Sequence, residues 1–220
     1  MKVELVSYSQ PPTGLELQGT LQDMVAYCAR VSNPANQRNV ETNEGLLRYL
    51  VRNKHWSPFE MVSICLEIET TRDIARQILR HRSFSFQEFS QRYAVVKGEF
   101  ETREARLQDM KNRQNSTEVD DADLHQKWAE QQQEVSRLAE TAYRWALENG
   151  IAKEQARCVL PEGMTNSRLY MNGTLRSWIH YIQLRSGNGT QKEHREVALA
   201  CAKAIEPVFP LIREWVDLPV

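Results

Sequence analysis

The sequence predicts an α+β fold in which helices pack against a small mixed or antiparallel sheet, with residues 1–220 forming a single domain. Apolar residues alternate strictly with polar ones from Val62 to Glu69, which is the period of a half-buried strand. Other stretches repeat apolar residues at intervals of three, four and seven, as amphipathic helices do. The nine glycines form no Gly-x-Gly-x-x-Gly turn, so no dinucleotide-binding crossover is predicted.

The first third of the chain is predicted to combine strands with short helices. Residues 2–8 alternate and indicate an opening strand. Thr20 and Asp23 form a capping-box-like start for a first helix. A second helix begins at Thr42 or Asn43 and carries a leucine-rich inner face.

A proline within residues 55–60 ends the second helix and leads into the alternating strand. Thr70 and Asp73 mark the start of a third helix. Gln77 on this helix lies one turn before the triplet Arg80-His81-Arg82. The helix is therefore expected to deliver polar groups from its last turn.

The middle of the chain is predicted to be a connection followed by a long helix. Residues 97–117 are charged, and we interpret them as exposed, with a helical turn near residues 103–110. The acidic residues that follow favour a helix N-terminus. The apolar stripe of this helix is predicted to face the core; it consists of Leu124, Trp128, Val135, Leu138, Ala142 and Trp145.

The last third is predicted to be helical. A short helix near residues 152–159 stops before a proline, Thr174 caps a helix that reaches Arg185, and a final helix covers about residues 191–205. Arg157 is followed by three apolar residues. Arg185 lies three residues after Ile182 and seven after Trp178, which places it on the apolar face of its helix. A charge in such a place needs a carboxylate, a phosphate or a ligand.

Charged, hydroxyl and aromatic side chains are mixed most densely in residues 80–93, Arg-His-Arg-Ser-Phe-Ser-Phe-Gln-Glu-Phe-Ser-Gln-Arg-Tyr. Guanidinium groups bind phosphate bidentately, hydroxyls complete an anion site and aromatic rings flank planar ligands. The segment therefore indicates a nucleotide-like ligand. The alternative interpretation is a basic helix end that runs into an edge strand, with solvated arginines.

Composition limits the other classes of function. The net charge is −1, from 28 basic and 29 acidic side chains, which argues against a dedicated nucleic-acid binder. The four dispersed cysteines are interpreted as reduced, mostly buried thiols, and the five histidines form no metal-binding pattern. No apolar stretch is long enough to span a membrane, so we expect a soluble, cytoplasmic protein.

The segment 80–93 resembles the signature of the flavin-dependent thymidylate synthase family. The shared pattern is Arg-His-Arg, seven residues, then a serine with an arginine and a tyrosine shortly after it. Four further segments resemble that family: residues 29–32, residues 55–60, the Arg-x-x-Leu-Pro of residues 157–161, and the late helix with Arg176 and Arg185.

This resemblance implies a methyltransferase that converts dUMP to dTMP. The carbon would come from 5,10-methylenetetrahydrofolate, the hydride from reduced FAD and the reducing power from NADPH. The resemblance also implies a homotetramer whose sites are shared between subunits. Arg185, beside the uracil ring, is the implied catalytic residue. The implied dUMP-binding residues are Gln77, Arg80, Glu88, Phe89, Ser90, Gln91, Arg92, Arg157 and Arg185. The implied FAD-binding residues are Ser32, His55, Ser57, Arg80, His81, Arg82, Glu88, Thr174, Arg176 and His180.

Some positions depart from residues that are common in the family, namely Gln87, Gln91, Thr174 and Gly189. They concern individual flavin contacts rather than the reaction. For Ser90 we favour binding of phosphate or uracil over a nucleophilic role, because the sequence indicates no base for it. Two other classes of function stay open: a module that binds RNA phosphates beside stacking rings, and an inactive structural oligomer. Flavin absorbance of the purified protein separates them from the enzyme.

Overall fold

The computed structural model describes residues 1–12, 14, 15, 17, 19–98 and 100–215. The strands are β1 (Lys2–Tyr8), β2 (Ser63–Thr71), β3 (Phe84–Glu88), β4 (Arg106–Gln108), β5 (Ser116–Glu118) and β6 (Asn166–Thr174). The α-helices are α1 (Leu21–Ala29), α2 (Asn43–Arg52), α3 (Arg72–Ile78), α4 (Ala122–Glu148), α5 (Lys153–Ala156), α6 (Leu175–Ser186) and α7 (Lys192–Ile205). Short 3-10 segments cover Pro34–Asn36, Ser57–Glu60, Arg157–Val159 and Pro210–Trp215.

The main sheet has four antiparallel strands in the order β1-β2-β6-β3, and β4 and β5 form a separate antiparallel hairpin. The α+β prediction is therefore confirmed. The alternation in β2 buries Val62, Ile64, Leu66 and Ile68 in one core with apolar residues of α6 and α7. Each such side chain contributes about 1.5–3 kcal/mol by leaving water.

One glycine sets how β3 lies against β6. Gly173 pairs with Phe84, and a Cβ on Gly173 would overlap the Phe84 ring. Because the glycine leaves this space, the ring lies over the strand and packs edge-on against Trp178 and Tyr181, with centroids 4.8 and 5.9 Å away. This packing fixes the position of α6 over the sheet.

The structure moves one predicted helix start by a residue. Thr71, rather than Thr70, caps α3, and its hydroxyl donates to Asp73 Oδ1 over 2.6 Å. Thr71 ends β2 and so already has the extended backbone that a cap residue needs. The predicted caps at Thr20 and Thr174 are confirmed, because each hydroxyl accepts the backbone N–H of the residue three positions later.

The helical turn predicted near residues 103–110 was wrong, whereas most of the described residues of 97–117 are exposed as predicted. A hairpin replaces the helical turn, because polar side chains of the loop accept its backbone N–H groups. Asp109 Oδ1 accepts from the N–H groups of Lys111 and Asn112, over 2.8 and 3.0 Å. These two bonds, Asn112 first, lower the pKa of Asp109. Such a loop closes a turn and returns the chain as β5.

The predicted core stripe of α4 was also wrong for most of its length. Trp128, Val135, Leu138 and Trp145 are between 44% and 59% exposed. The helix instead buries the adjacent face, roughly 80° further around its axis, which includes Gln132 and Tyr143. The periodicity identified the helix correctly but could not show whether a partner covers the stripe within this chain.

Candidate functional site

The first part of the site is built around Arg185, at the end of α6. Trp178, Tyr181 and Arg185 share one helix face because they are three and four residues apart. Arg185 Nε donates to His81 Nε2 over 2.9 Å. Its terminal N–H groups make no hydrogen bond or ion pair with the described residues. The guanidinium is therefore held at one nitrogen and free to bind a ligand with its outer edge.

His81 is a neutral hydrogen-bond acceptor for Arg185. Burial, then the charges of Arg185 and Arg80, lower the pKa of His81 to about 4. A neutral ring that accepts at Nε2 carries its proton at Nδ1. The edge of the ring packs against Tyr181, with centroids 4.9 Å apart. His81 thus orients Arg185 without neutralising its charge.

A second histidine, His194, is fully buried on α7. Its Nδ1 lies 3.2 Å from Gln77 Oε1, and its Nε2 lies 3.1 Å from the Tyr181 hydroxyl. Burial, then the charges of Arg185 and His81, lower its pKa to about 3, so the ring is neutral. Gln77 Oε1 can only accept, so Nδ1 carries the proton and the Tyr181 hydroxyl donates to Nε2. Both contacts therefore fix one tautomer.

Two further hydrogen bonds connect Gln77 to Gln191 and then to Glu193. Gln77 Nε2 donates to Gln191 Oε1 over 2.7 Å, and Gln191 Nε2 donates to Glu193 Oε2 over 2.9 Å. This series of hydrogen bonds ends at Glu193, which forms a close ion pair with Arg106. Because the Gln77 amide oxygen accepts from His194 and its nitrogen donates to Gln191, a flip of this amide would break two bonds at once. The orientation of that amide is thus set by buried neighbours.

The second part of the site surrounds the carboxylate of Glu88. Ser167 Oγ donates to Glu88 Oε1 over 2.8 Å. Arg76 lies 3.0 Å from Oε2, and Arg72 lies 3.6 Å from Oε1. Burial, then the neighbouring charge of Arg76, lowers the pKa of Arg72. The charge of Arg157 also lowers the pKa of Arg72, so positive charge is concentrated around the Glu88 carboxylate.

The segment after β3 continues from that carboxylate. Arg92 forms an exposed ion pair with the Glu154 carboxylate at 3.3 Å, and Arg157 Nε donates to the Glu154 carbonyl over 3.3 Å. Ser90 is half-buried, and Phe89 is tied to β6 by its backbone. Gln91 is only 3% exposed, yet its Nε2 has no partner among the described residues. A buried amide left without a partner costs about 1–3 kcal/mol, so it is a candidate ligand contact.

A third group lies on the surface. Ser32, Ser57, Arg80 and Arg82 are exposed, and their side chains make no hydrogen bond or ion pair within the part of the chain that the structure describes. His55 is also exposed and meets only the edge of the Tyr49 ring, with centroids 6.0 Å apart. The fold does not surround these five side chains.

The start of α6 links this surface to the sheet. The Thr174 hydroxyl is used as the helix cap, where it accepts from the Ser177 backbone N–H over 3.3 Å. Arg176 forms a close ion pair with Glu60. The His180 ring packs edge-on against Trp56 at 4.5 Å. Burial, then the charge of Arg176, lowers the pKa of His180.

Sequence reasoning missed Tyr181, His194, Gln191 and Glu193 as members of the site. A signal existed for His194, which precedes the buried Val197 by three residues and therefore lies on the inward face of α7. The other three residues lie close to the site only after α6, α7 and the hairpin pack together. Sequence spacing does not reveal that arrangement.

The thiols show no sign of activation. All four cysteines are free, and only Cys201 is fully buried, whereas Cys158 is exposed, so the prediction of mostly buried thiols was wrong. Burial raises the pKa of Cys28, Cys65 and Cys201, which is the opposite of what a nucleophilic thiolate needs. Among the described residues there is no cluster of three or more metal-ligating side chains. None of the described helices is long and apolar enough to cross a membrane.

Comparisons with known proteins agree on one family. The family model described as thymidylate synthase complementing protein matches residues 16–211. A probable flavin-dependent thymidylate synthase of Paramecium bursaria Chlorella virus 1 is 48% identical over 217 residues, which cover 99% of each chain. The flavin-dependent thymidylate synthase of a Synechocystis species is 50% identical over 221 residues, covering 98% of this chain and all of the relative.

A solved structure is similar as well. The UMP/dUMP methylase PolB from Streptomyces cacaoi, bound with 5-Br dUMP, superposes with a TM-score of 0.82 and 29% sequence identity. The match covers 97% of this chain and 93% of the methylase.

Proposed function

We propose a role for each part of the site in the reaction of a flavin-dependent thymidylate synthase. The premise is that the chain belongs to the thymidylate synthase complementing protein family. This enzyme methylates dUMP to dTMP, with methylenetetrahydrofolate as the carbon donor. FAD, when bound, supplies the hydride, and NADPH is the reductant. Family membership favours this enzyme over the RNA-binding module and the inactive oligomer.

The observation that carries the proposal is the Arg185–His81 pair. Carbon 5 of uracil must act as a nucleophile, so negative charge develops on the ring carbonyls and imide. A guanidinium fixed at its Nε by a neutral His81 can present its outer N–H groups to that charge. His81 accepts but removes no charge, because its lowered pKa keeps it neutral. Arg185 is therefore the proposed catalytic residue.

Gln77 is the proposed positioning contact for the nucleotide. His194 and Gln191 hold its amide oxygen and one amide hydrogen. The second amide hydrogen has no partner among the described residues and is offered in a fixed orientation. Such a preset amide discriminates between donors and acceptors on a ligand better than a rotating one.

The phosphate of dUMP is assigned to the segment after β3. Ser90 and Gln91 supply a hydroxyl and the unpartnered buried amide. Arg92 and Arg157 supply guanidinium groups, one paired with the Glu154 carboxylate and the other donating to the Glu154 carbonyl. Arginine forks match phosphate geometry, so these groups together form an anion site. Glu88 would anchor this site by holding Arg72 and Arg76.

The residues expected at FAD fit a group that carries phosphates. Arg80 and Arg82 are exposed cations without an acidic partner among the described residues, as a pyrophosphate site requires. We also assign His81, Ser32, His55, Ser57 and the start of α6 to this side; the contacts from α6 are Thr174, Arg176 and His180.

A homotetramer with shared sites is part of the proposal. Three large apolar side chains along one face of α4 are exposed in the single chain: Val135, Leu138 and Trp145. A contiguous apolar stripe of this kind is typical of a surface that another chain covers. The four free cysteines fit a reducing compartment, so the proposal includes a cytoplasmic location.

The test is dTMP formation by purified protein given FAD, NADPH, methylenetetrahydrofolate and dUMP. Arg185→Ala should lower kcat by about 10²–10³, because it removes a preset donor at the developing charge, while FAD content stays constant. Arg137→Ala, which removes an exposed arginine of α4, is the matched control and should keep full activity. No dTMP from the wild-type protein, or full activity of Arg185→Ala, would contradict the proposal.

A further inference from the structure

The hairpin β4–β5 encloses a cavity of about 680 Å³ together with α4, the loop before α7 and the first turns of α7. Ligand sites of proteins usually occupy about 300–1,000 Å³, so the cavity is large enough for a cofactor-sized molecule. More than half of the residues that line this hairpin cavity lie within residues 97–117, for which the sequence predicted only an exposed connection. None of the residues assigned above to dUMP or FAD lines it.

The lining carries an excess of positive charge. Three cations are already paired: Arg103 with Asp73, Arg106 with Glu193, and Lys192 with Glu104 and Glu118. Two more line the cavity and form no ion pair within the described part of the chain; these are Arg113 and Arg195. Because both guanidinium groups lack a carboxylate, the cavity is suited to an anion with more than one charged group.

The lining also offers a surface for a planar ring. Trp128 lines the cavity and is 44% exposed, so part of its ring is accessible to a ligand. Amide side chains, Gln114, Asn115 and Asn188, complete the wall with neutral donors and acceptors. An aromatic face beside cations and amides is the chemistry that binds a nucleotide.

The cavity adjoins the proposed active site. Gln191 lines the cavity and accepts the amide hydrogen of Gln77, so one side chain separates the two spaces. The first turn of α7 adds the positive end of a 14-residue helix on the same side. A ligand bound here can extend a second ring toward the side where Gln77 and His81 lie.

We propose that the hairpin cavity binds the phosphates and one base of the reductant NADPH, with Arg113 and Arg195 on the phosphates and Trp128 against a ring. This rests on the proposed function, which needs a reductant. Arginine forks match carboxylates and phosphates alike, but the 2′-phosphate and pyrophosphate of NADPH carry more negative charge than the carboxylates of a folate, so they suit two unpaired guanidinium groups better. Binding of methylenetetrahydrofolate in the cavity is therefore the competing outcome.

The first test measures binding. Calorimetric titration of the FAD-loaded enzyme with NADP⁺ compares the wild type with the double variant Arg113→Ala/Arg195→Ala. Loss of two charge-assisted contacts should weaken NADP⁺ by about tenfold or more. Lys111→Ala removes a charge from the same hairpin, outside the cavity lining, and should leave the affinity unchanged. Trp128→Phe should weaken NADP⁺ less than Trp128→Ala, and circular dichroism would show that the variants fold.

The second test separates reduction from methylation. NADPH plus a proton reduces bound FAD to FADH₂ and leaves NADP⁺, which is followed by loss of flavin absorbance. The double variant should need correspondingly more NADPH for this step, yet form dTMP normally once dithionite replaces NADPH as the two-electron donor. Unchanged NADP⁺ affinity, or weakened methylenetetrahydrofolate with NADP⁺ unaffected, would overturn the inference. Wild-type enzyme that forms no dTMP even with dithionite would instead refute the proposed function.

Discussion

Two regions of the proposed site differ sharply in how the chain supports them. Around Arg185, the side chains of His81, Tyr181, His194 and Gln77 are half-buried or buried and joined by hydrogen bonds. We call this set the buried cluster. The side chains of Ser32, His55, Ser57, Arg80 and Arg82 form the exposed group, which makes no hydrogen bond or ion pair with the described residues.

The contrast indicates which ligand each region serves. A buried, hydrogen-bonded cluster is preorganised, so it can hold a small base in one orientation and stabilise charge without rearranging. Exposed side chains gain order only when a ligand or another subunit covers them. We infer that a single chain builds the uracil side of the site, whereas the flavin side is completed by assembly.

The largest effect is expected from the exposed group. Arg80→Ala/Arg82→Ala removes two unpaired guanidinium groups from the proposed pyrophosphate site, so FAD affinity should fall by about a hundredfold or more. Thermal stability should hardly change, because both side chains are exposed and make no hydrogen bond or ion pair with the described residues. Equilibrium dialysis with FAD and a melting curve measure the two quantities. A large loss of stability with intact FAD binding would remove the distinction between the regions.

A smaller effect is expected from His194, which tests whether the buried cluster positions the nucleotide. His194→Phe deletes the donor to Gln77 and the acceptor for Tyr181, so dUMP affinity should fall by about tenfold, with a stability loss of about 1–3 kcal/mol. His194→Asn keeps an N–H near the position of Nδ1 and should recover most of the dUMP affinity, although not the Tyr181 bond. FAD binding should stay unchanged in both variants. Equal dUMP affinity in the two variants would show that His194 only packs.

The smallest effect concerns pH, and it should arise from the buried cluster. The pKa of His81 is lowered to about 4 and that of His194 to about 3, from an ordinary value of 6.5. Below pH 6.5 these two histidines therefore bind protons in the unfolded chain but not in the folded chain. The free energy of unfolding thus falls as the pH falls toward about 4. Urea unfolding across this range measures the slope. His194→Phe should make the slope shallower, and a stability that rises on acidification would contradict the assignment.

Only part of the buried cluster could be predicted from sequence, since Tyr181 and His194 were missed. Arg185 was placed on an apolar helix face by its spacing from Trp178, and the need for a partner followed from that placement. The partner turned out to be the neutral ring of His81 rather than a carboxylate. The alternation of apolar and polar residues in β2 likewise predicted both the strand and its buried face, because successive side chains of a strand point to opposite faces.

The errors share another physical cause. The stripe of α4 has the period of a buried face, but the single chain leaves Trp145 59% exposed, because what covers a stripe depends on other elements or chains. The strands β4 and β5 are only three residues long, too short to show alternation, and side chains such as Asp109 determine their turn. Local patterns predicted elements well and their partners poorly.

The most direct test of the inference that the site is shared is complementation between two inactive variants. Arg185→Ala damages the buried cluster and His55→Ala damages the exposed group, and each should be nearly inactive alone as a homo-oligomer. Co-expression should restore dTMP formation, because some sites then combine an intact Arg185 from one subunit with an intact His55 from another. Mixed oligomers that form and bind FAD but regain no activity would show that each chain builds its own complete site.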